Sequence, residues 1–213
     1  CSGSRVKLQV ISEKDQGISD AFSKGVKVAK GPIVGILNSD DEYCDTHALE
    51  RVRDAFIKEG ADFAHGDMLF VDKQHGSNIR RPLMCSLEEA FPYNHPSFFL
   101  SKKVYDEIGT FRLDYRFAMD FELVCRMYSD PSTCRYKGVY LGGGPIVKMY
   151  AGGVSWTHEI DSIDELKKAL ELHGFYTSKA RRHLAFRKFR IRLKILLNKL
   201  HLGLIVKLWR NLK

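Results

Sequence analysis

Gly31-Pro32-Ile33-Val34-Gly35-Ile36-Leu37-Asn38-Ser39-Asp40-Asp41-Glu42-Tyr43 is the stretch that decides the fold. A Gly-Pro turn delivers a short apolar run, Ile33 to Leu37, and the run stops in a cluster of acids. Bounded by turn residues, such a run reads as a strand covered on both faces. Its carboxyl end carries Asn38, Asp40 and Asp41, and in open α/β sheets ligands bind outside the carboxyl ends of strands. Adjacent carboxylates there suit a hard divalent cation that in turn holds phosphate oxygens. The same residues suit a polar turn capping a helix that starts near Thr46, because Asp and Asn favour both turns and caps.

Outward from this stretch the pattern alternates. Lys7 to Ser12 reads as a strand, and Ile18 to about Ala29 as a helix. Downstream, His47 to Lys58 reads as a helix with Ala48, Val52, Ala55 and Phe56 on one side and Gly60 as its C-terminal stop. Ala61 to Val71 reads as a strand, and Gln74-His75-Gly76-Ser77-Asn78 as a hairpin turn into Ile79 to Leu83. Alternating β and α elements predict an α/β fold with a largely parallel sheet, right-handed crossovers and a mixed edge.

Composition fits one sizeable α/β domain with an appendage. The chain has 213 residues, of which 44% are hydrophobic and 28% charged. No uncharged apolar run of about eighteen residues exists, so no spanning helix is expected, and the N-terminus lacks a signal-peptide pattern. Cys1, Cys44, Cys85, Cys125 and Cys134 form no CxxC pair, so the expectation is mostly buried thiols in a reducing cytoplasm.

Two blocks resemble a known family. Ser12-Glu13-Lys14-Asp15-Gln16-Gly17-Ile18-Ser19-Asp20-Ala21 with Lys24 and Gly25, followed by the strand ending Leu37-Asn38-Ser39-Asp40-Asp41, resembles the family 2 glycosyltransferases of the GT-A fold. The match departs at Ser23, where Asn is common. The second block, His95-Pro96-Ser97-Phe98-Phe99 through Gly109 and Phe111 to Ala118-Met119-Asp120-Phe121-Glu122-Leu123, resembles the acceptor-side segment of the same enzymes. The resemblance covers residues 6 to 156 and implies a nucleotide-diphospho-sugar transferase, Rossmann-like, with a mixed sheet and flanking helices. It also implies that the chain lacks the start of the family domain, roughly fifty residues forming a strand, a helix and a further strand.

The resemblance assigns roles residue by residue. Asp41 is the metal contact for Mg²⁺ or Mn²⁺; Asp40 lies on the ribose or sugar side, and Asn38 stands where the first acid of a DxD would be. Gly17, Asp20 and Lys24 fall on the donor side, where a helix start can face phosphate oxygens, although a solvated surface Lys is the competing reading of Lys24. By the resemblance Asp120 is the general base and Glu122 is structural or exposed; the residues alone favour Asp120 as a cap of the helix whose buried face carries Phe117, Phe121, Val124 and Met127. His95 is placed on the acceptor or phosphate side, because no second His or Cys stands at ligand spacing. Gly153 and Ser155 join it from a loop, Tyr150 to Trp156, that folds over the donor or forms an ordinary turn.

Residues 175–213 hold twelve of the 34 Lys and Arg and no Asp or Glu, leaving the other residues with 22 bases against 26 acids. Residues 1–174 therefore read as the catalytic part and 175–213 as a basic helical arm. Phe186, Phe189, Leu193, Leu196, Leu197, Leu200 and Leu204 recur at helical steps, giving a basic amphipathic helix suited to an anionic membrane surface rather than to nucleic acid. Packing on the chain's own domain, or on another copy in a homo-oligomer, is the competing use of such a stripe. The function this predicts is inverting, metal-dependent transfer of a hexosyl or N-acetylhexosaminyl group from a nucleotide-diphosphate sugar, a UDP-sugar by preference. The acceptor is a polysaccharide or lipid-linked precursor in cell-envelope glycan synthesis, met on the inner face of the plasma membrane. The competing classes are an inert nucleotide-sugar-binding scaffold and an adaptor acting through its arm.

Overall fold

In the computed structural model, which describes residues 7–72, 76–152 and 158–200, helix α1 (Ile18–Val28) starts at Gly17. The φ of 127° at Gly17 is open to glycine and strained for any L side chain. Asp15 Oδ1 accepts the Gly17 amide at 2.9 Å, and Asp20 reaches back from the first turn to the Gln16 amide at 3.0 Å. Both acids thus satisfy amides that the helix leaves unpaired. The strand predicted over Lys7 to Ser12 is not formed. Leu8 and Val10 are 85% and 76% exposed, and no strand lies beside this segment among the described residues to take its backbone groups.

Strand β1 (Ile33–Gly35) is shorter than its apolar run. Only Val34 is buried, so cover on both faces is partial. Strand β2 (Glu42–Tyr43) follows the acid turn, and α2 (Ala48–Lys58) buries Ala48, Val52 and Ala55 as its spacing predicts. Gly60, at φ 64°, ends it.

The single strand predicted from Ala61 to Val71 is two strands, β3 (Phe63–Gly66) and β4 (Met68–Asp72). They part at Asp67, whose backbone carbonyl accepts the Ile146 amide at 2.9 Å and the Ser97 hydroxyl at 3.0 Å. A side chain at Gly66 would meet Ile146 at 2.8 Å, so the break depends on a glycine. Strand β5 (Gly76–Arg80) pairs antiparallel with β4 and starts earlier than the predicted Ile79 to Leu83; Gln74 and His75 lie outside the described residues.

A 3₁₀ turn (His95–Ser97) leads into β6 (Phe98–Ser101), then α3 (Lys102–Ile108) and α4 (Met119–Arg126). Beyond them come β7 (Tyr128–Asp130), β8 (Thr133–Cys134), β9 (Gly138–Leu141) and β10 (Val147–Tyr150). Helices α5 (Glu159–Leu172) and α6 (Ser178–Lys199) complete the described chain. One sheet has the order β1-β6-β3-β9, another β2-β10-β4-β5, and β7 and β8 form a ribbon. Only β3/β9 and β4/β10 are parallel pairs; every other pair is antiparallel. The expectation of a largely parallel sheet is therefore corrected. Helix α2 carries the chain from β2 in one sheet to β3 in the other, so the alternation of elements does not place consecutive strands side by side.

Helix α4 is buried on nearly every side: of its residues only Asp120 and Arg126 are not buried. It packs with Leu100 of β6, Ile163 and Leu170 of α5 and Leu184 of α6 in one apolar cluster. The thiols divide, with Cys125 buried and Cys44, Cys85 and Cys134 half-buried, all four free.

His65 on β3 stands among Phe63, Tyr93 and Tyr140, with no hydrogen-bond partner on its buried Nδ1. Burial lowers its pKa from 6.5 to about 4. Between those values the unfolded chain takes up a proton that the folded one refuses, so stability falls as pH drops from 6.5 to about 4. We expect this residue to account for on the order of 2 kcal/mol of that loss, allowing for its partial exposure. Urea unfolding of His65→Gln at both ends of the window should show a flatter pH dependence than the parent; an unchanged slope would assign the loss to other groups.

Candidate functional site

The acid turn crosses from one sheet to the other, since β1 precedes it in the first and β2 follows it in the second. Asp41 is half-buried, and the Asn38 side-chain amide donates to its Oδ2 at 2.9 Å. The Asp41 amide closes the turn on the Asn38 carbonyl at 3.1 Å. Burial pushes the Asp41 carboxyl above its ordinary range, and the negative charge of Asp40 adds to this. The Asn38 amide, the Tyr150 backbone amide and the charge of His95 pull the other way. Asp40 itself is exposed.

His95 and Asp120 meet beside Ile36, on the approach to this turn. Nδ1 of His95 is 3.5 Å from Oδ2 of Asp120, with both side chains about a quarter exposed (24% and 22%). The ring of His95 stacks on Phe22 of α1, centroids 5.8 Å apart. Ile36, Phe91, Phe98, Phe111 and Leu123 line a small apolar recess against the pair. The residue opening α4 is Ala118, so Asp120 is not its N-cap; its Oδ1 accepts the amide of the next residue, Phe121, at 2.8 Å. An acid half-open at the start of an otherwise buried helix, with an imidazole beside it, can accept a proton from a hydroxyl brought to it.

Gly17, Asp20 and Lys24, expected on the donor side, come together at the start of α1. Lys24 pairs with Glu13 at 2.9 Å and Asp20 at 3.2 Å and donates to the Lys14 carbonyl at 3.0 Å. Gly17, Asp20 and Lys24 thus form a clasp that folds residues 13–17 onto α1, and their polar contacts are with that segment rather than with the acid turn. Lys24 is a paired, partly buried cation rather than a bare solvated one. Gly153 and Ser155 lie outside the described residues. Glu122, expected to be structural or exposed, is fully buried: it accepts from Arg126 at 3.0 Å and faces His173 Nε2 at 3.1 Å.

One residue escapes sequence reading altogether. Glu165 of α5 accepts the amides of Arg116, Phe117 and Ala118 at 2.8, 2.7 and 2.8 Å, and so fixes the loop that delivers Asp120. No local pattern marks it, because its partners are nearly fifty residues away. A larger concavity, about 490 Å³, lies at the other end of α4 between Arg126, Arg135, Tyr136 and His173. There Arg126 is held by the Ile108 and Thr110 carbonyls and by Glu122, and Arg135 by the Arg126 carbonyl.

The acid turn offers oxygen donors, the carboxylates of Asp40 and Asp41, of the kind a divalent cation takes. Asp41, raised by burial and by Asp40, is a carboxylate short of positive charge, which a cation would relieve. Among the described residues no three His, Cys, Asp or Glu gather as a ligand set. A cation here would therefore take one or two carboxylates and complete its shell with phosphate oxygens and water, as Mg²⁺ does.

A family model described as Glycosyl transferase family 2 matches residues 3–123. The PGL/p-HBAD biosynthesis glycosyltransferases of Mycobacterium bovis and Mycobacterium tuberculosis are 30% identical over 139 residues, covering 62% of this chain and 52% of theirs. The chain thus spans about half the length of the curated relatives it matches. Among solved structures, S. aureus TarS 1-349 aligns with a TM-score of 0.54 at 13% identity, over 84% of this chain and 53% of that one. TarS 1-349 in complex with UDP aligns at 0.53 and 12%, over 74% and 45%. At such identities the likeness establishes the fold.

If Glu165 sets the loop before α4, Glu165→Ala leaves three amides without an acceptor and should cost roughly 2–4 kcal/mol. Hydrogen exchange at Arg116, Phe117 and Ala118 should accelerate more than elsewhere, and Glu165→Gln should lie between; unchanged exchange at these amides would remove Glu165 from this role.

Proposed function

The chain belongs to glycosyl transferase family 2, and from that premise we propose that it transfers a hexosyl or N-acetylhexosaminyl group from a nucleotide-diphosphate sugar, a UDP-sugar by preference, with inversion at the sugar carbon. The observation that carries the reading is the meeting of the Asp41 turn, His95 and Asp120 where the two sheets part. Asp41 would hold a Mg²⁺ or Mn²⁺ ion, with Asn38 keeping its carboxylate in place and Asp40 on the sugar side. When bound, that cation would supply Lewis-acid neutralisation of the leaving diphosphate.

Asp120 accepts the proton of the acceptor hydroxyl as that oxygen attacks, and the nucleoside diphosphate departs from the opposite face. A single base with direct displacement gives inversion. His95, stacked on Phe22, holds the Asp120 carboxylate toward the acceptor and adds positive charge near the acid turn when protonated. The half-buried surroundings and the apolar recess reduce competition from water. We assign the acceptor to the class of glycans and lipid-linked precursors of the cell envelope.

Two substitutions separate donor binding from chemistry. Asp41→Ala should abolish the Mn²⁺-dependent part of UDP binding in calorimetric titration, because the diphosphate charge is left poorly compensated. Unchanged metal-dependent affinity would remove Asp41 from the site. Asp120→Asn keeps the shape but cannot take a proton, and it should lower turnover by roughly 10²- to 10⁴-fold with donor affinity near that of the parent. Transfer at the parental rate would show that Asp120 is not the base.

A further inference from the structure

Helix α6 carries two apolar faces, and only one of them is used by the fold. Ala180, Leu184 and Ile191 turn toward α5 and α4 and join the main apolar cluster. Phe186, Phe189, Leu196 and Leu200 lie on the other side of the helix, 59%, 61%, 52% and 58% exposed. At 3.6 residues per turn these four fall within an arc of about 100°. The predicted stripe is thus largely outward-facing, with Leu193 and Leu197 half-buried and Leu204 outside the described residues.

The bases of α6 include paired lysines and unpaired exposed arginines. The lysines of α6 are matched by acids of the body: Lys179 pairs with Glu89, Lys188 with Asp164 and Lys194 with Glu159. Arg182 and Arg192, beside the exposed stripe, are themselves exposed and have no carboxylate partner among the described residues. Arg182 and Arg192, exposed beside exposed Phe and Leu, present apolar area and positive charge together.

We propose that this outer face of α6 docks flat on an anionic lipid bilayer, with Phe186, Phe189, Leu196 and Leu200 entering the headgroup boundary and Arg182 and Arg192 meeting lipid phosphates. No helix among the described residues is long and apolar enough to cross a membrane, so the contact is interfacial. Charge decides among occupants. A second copy of the same face would set arginine against arginine, and nucleic acid would leave the Phe and Leu side chains in water. The proposal is independent of the transfer chemistry, because lipid binding is measured without any donor.

Co-sedimentation of the full 213-residue chain with phosphatidylcholine vesicles, with and without phosphatidylglycerol, is the test. Binding should require phosphatidylglycerol and weaken with salt. Replacing Phe186 and Phe189 together by Glu should lower it at least about tenfold, and replacing Arg182 and Arg192 together by Ser should lower it roughly fivefold or more and flatten the salt dependence. All four side chains are exposed, so the melting temperature should hold. Should the Phe pair nonetheless melt early, the Arg pair carries the same reading. Equal recovery on neutral and anionic vesicles, or parental binding by both folded variants, overturns the proposal. So does a dimer, seen by sedimentation, that the Phe pair abolishes while vesicle binding persists.

Discussion

Three consecutive amides, of Arg116, Phe117 and Ala118, end on the one carboxylate of Glu165, and the region around Asp120 depends on that contact. Helix α4 begins immediately afterwards and is buried nearly all round, so apolar packing alone would leave its position along its own axis weakly set. The polar contacts at its two ends supply what packing does not. At the start, Glu165 holds the incoming loop. At the finish, Arg126 reaches the Ile108 and Thr110 carbonyls and joins Glu122 and His173 in a buried charged cluster. Removing one member of such a cluster strands a charge and typically costs about 3–5 kcal/mol, so the arrangement resists sliding. Asp120 is consequently presented at a fixed height, on the only open part of the first turn.

The other half of the site comes from the parting of two sheets. At Asp67 the chain leaves the sheet of β3 for that of β4, with its carbonyl taken by Ile146 and Ser97 and its carboxylate by the Tyr140 hydroxyl at 2.7 Å. The acid turn makes the same passage between β1 and β2. A crevice between diverging sheets is where polar loops can face a ligand without surrendering backbone hydrogen bonds. His95 belongs to the turn that enters β6, the strand between β1 and β3, and so joins the acid turn to Asp120.

The parts of this architecture legible in sequence are those written in local signals. Gly17 at positive φ, the apolar spacing of α2 and the apolar run of β1 announce their elements because backbone sterics and periodicity act within a few residues. The resemblance of whole motifs singles out the acid turn and Asp120, and the structure sets His95 beside Asp120. What stayed hidden is non-local. Lys7 to Ser12 has the composition of a strand, but a strand exists only if a neighbour accepts its backbone groups. The break at Asp67 is imposed by Ile146 and Ser97, far along the chain, and Glu165 acts on amides nearly fifty residues away. On α6 the repeating Phe and Leu residues looked like the helix's single apolar face. Ala180, Leu184 and Ile191, on the opposite side of the helix, form the packed one.

The central claim is that the Asp41 turn and the start of α4 face one site through His95. Paramagnetic broadening of histidine side-chain NMR signals by Mn²⁺ in the presence of UDP tests it most directly, with Mg²⁺ as the diamagnetic reference. The account predicts strong broadening of His95, much weaker broadening of His173 at the far end of α4, and loss of both effects in Asp41→Ala. Undisturbed His95 signals under conditions where Mn²⁺ and UDP are bound would contradict it.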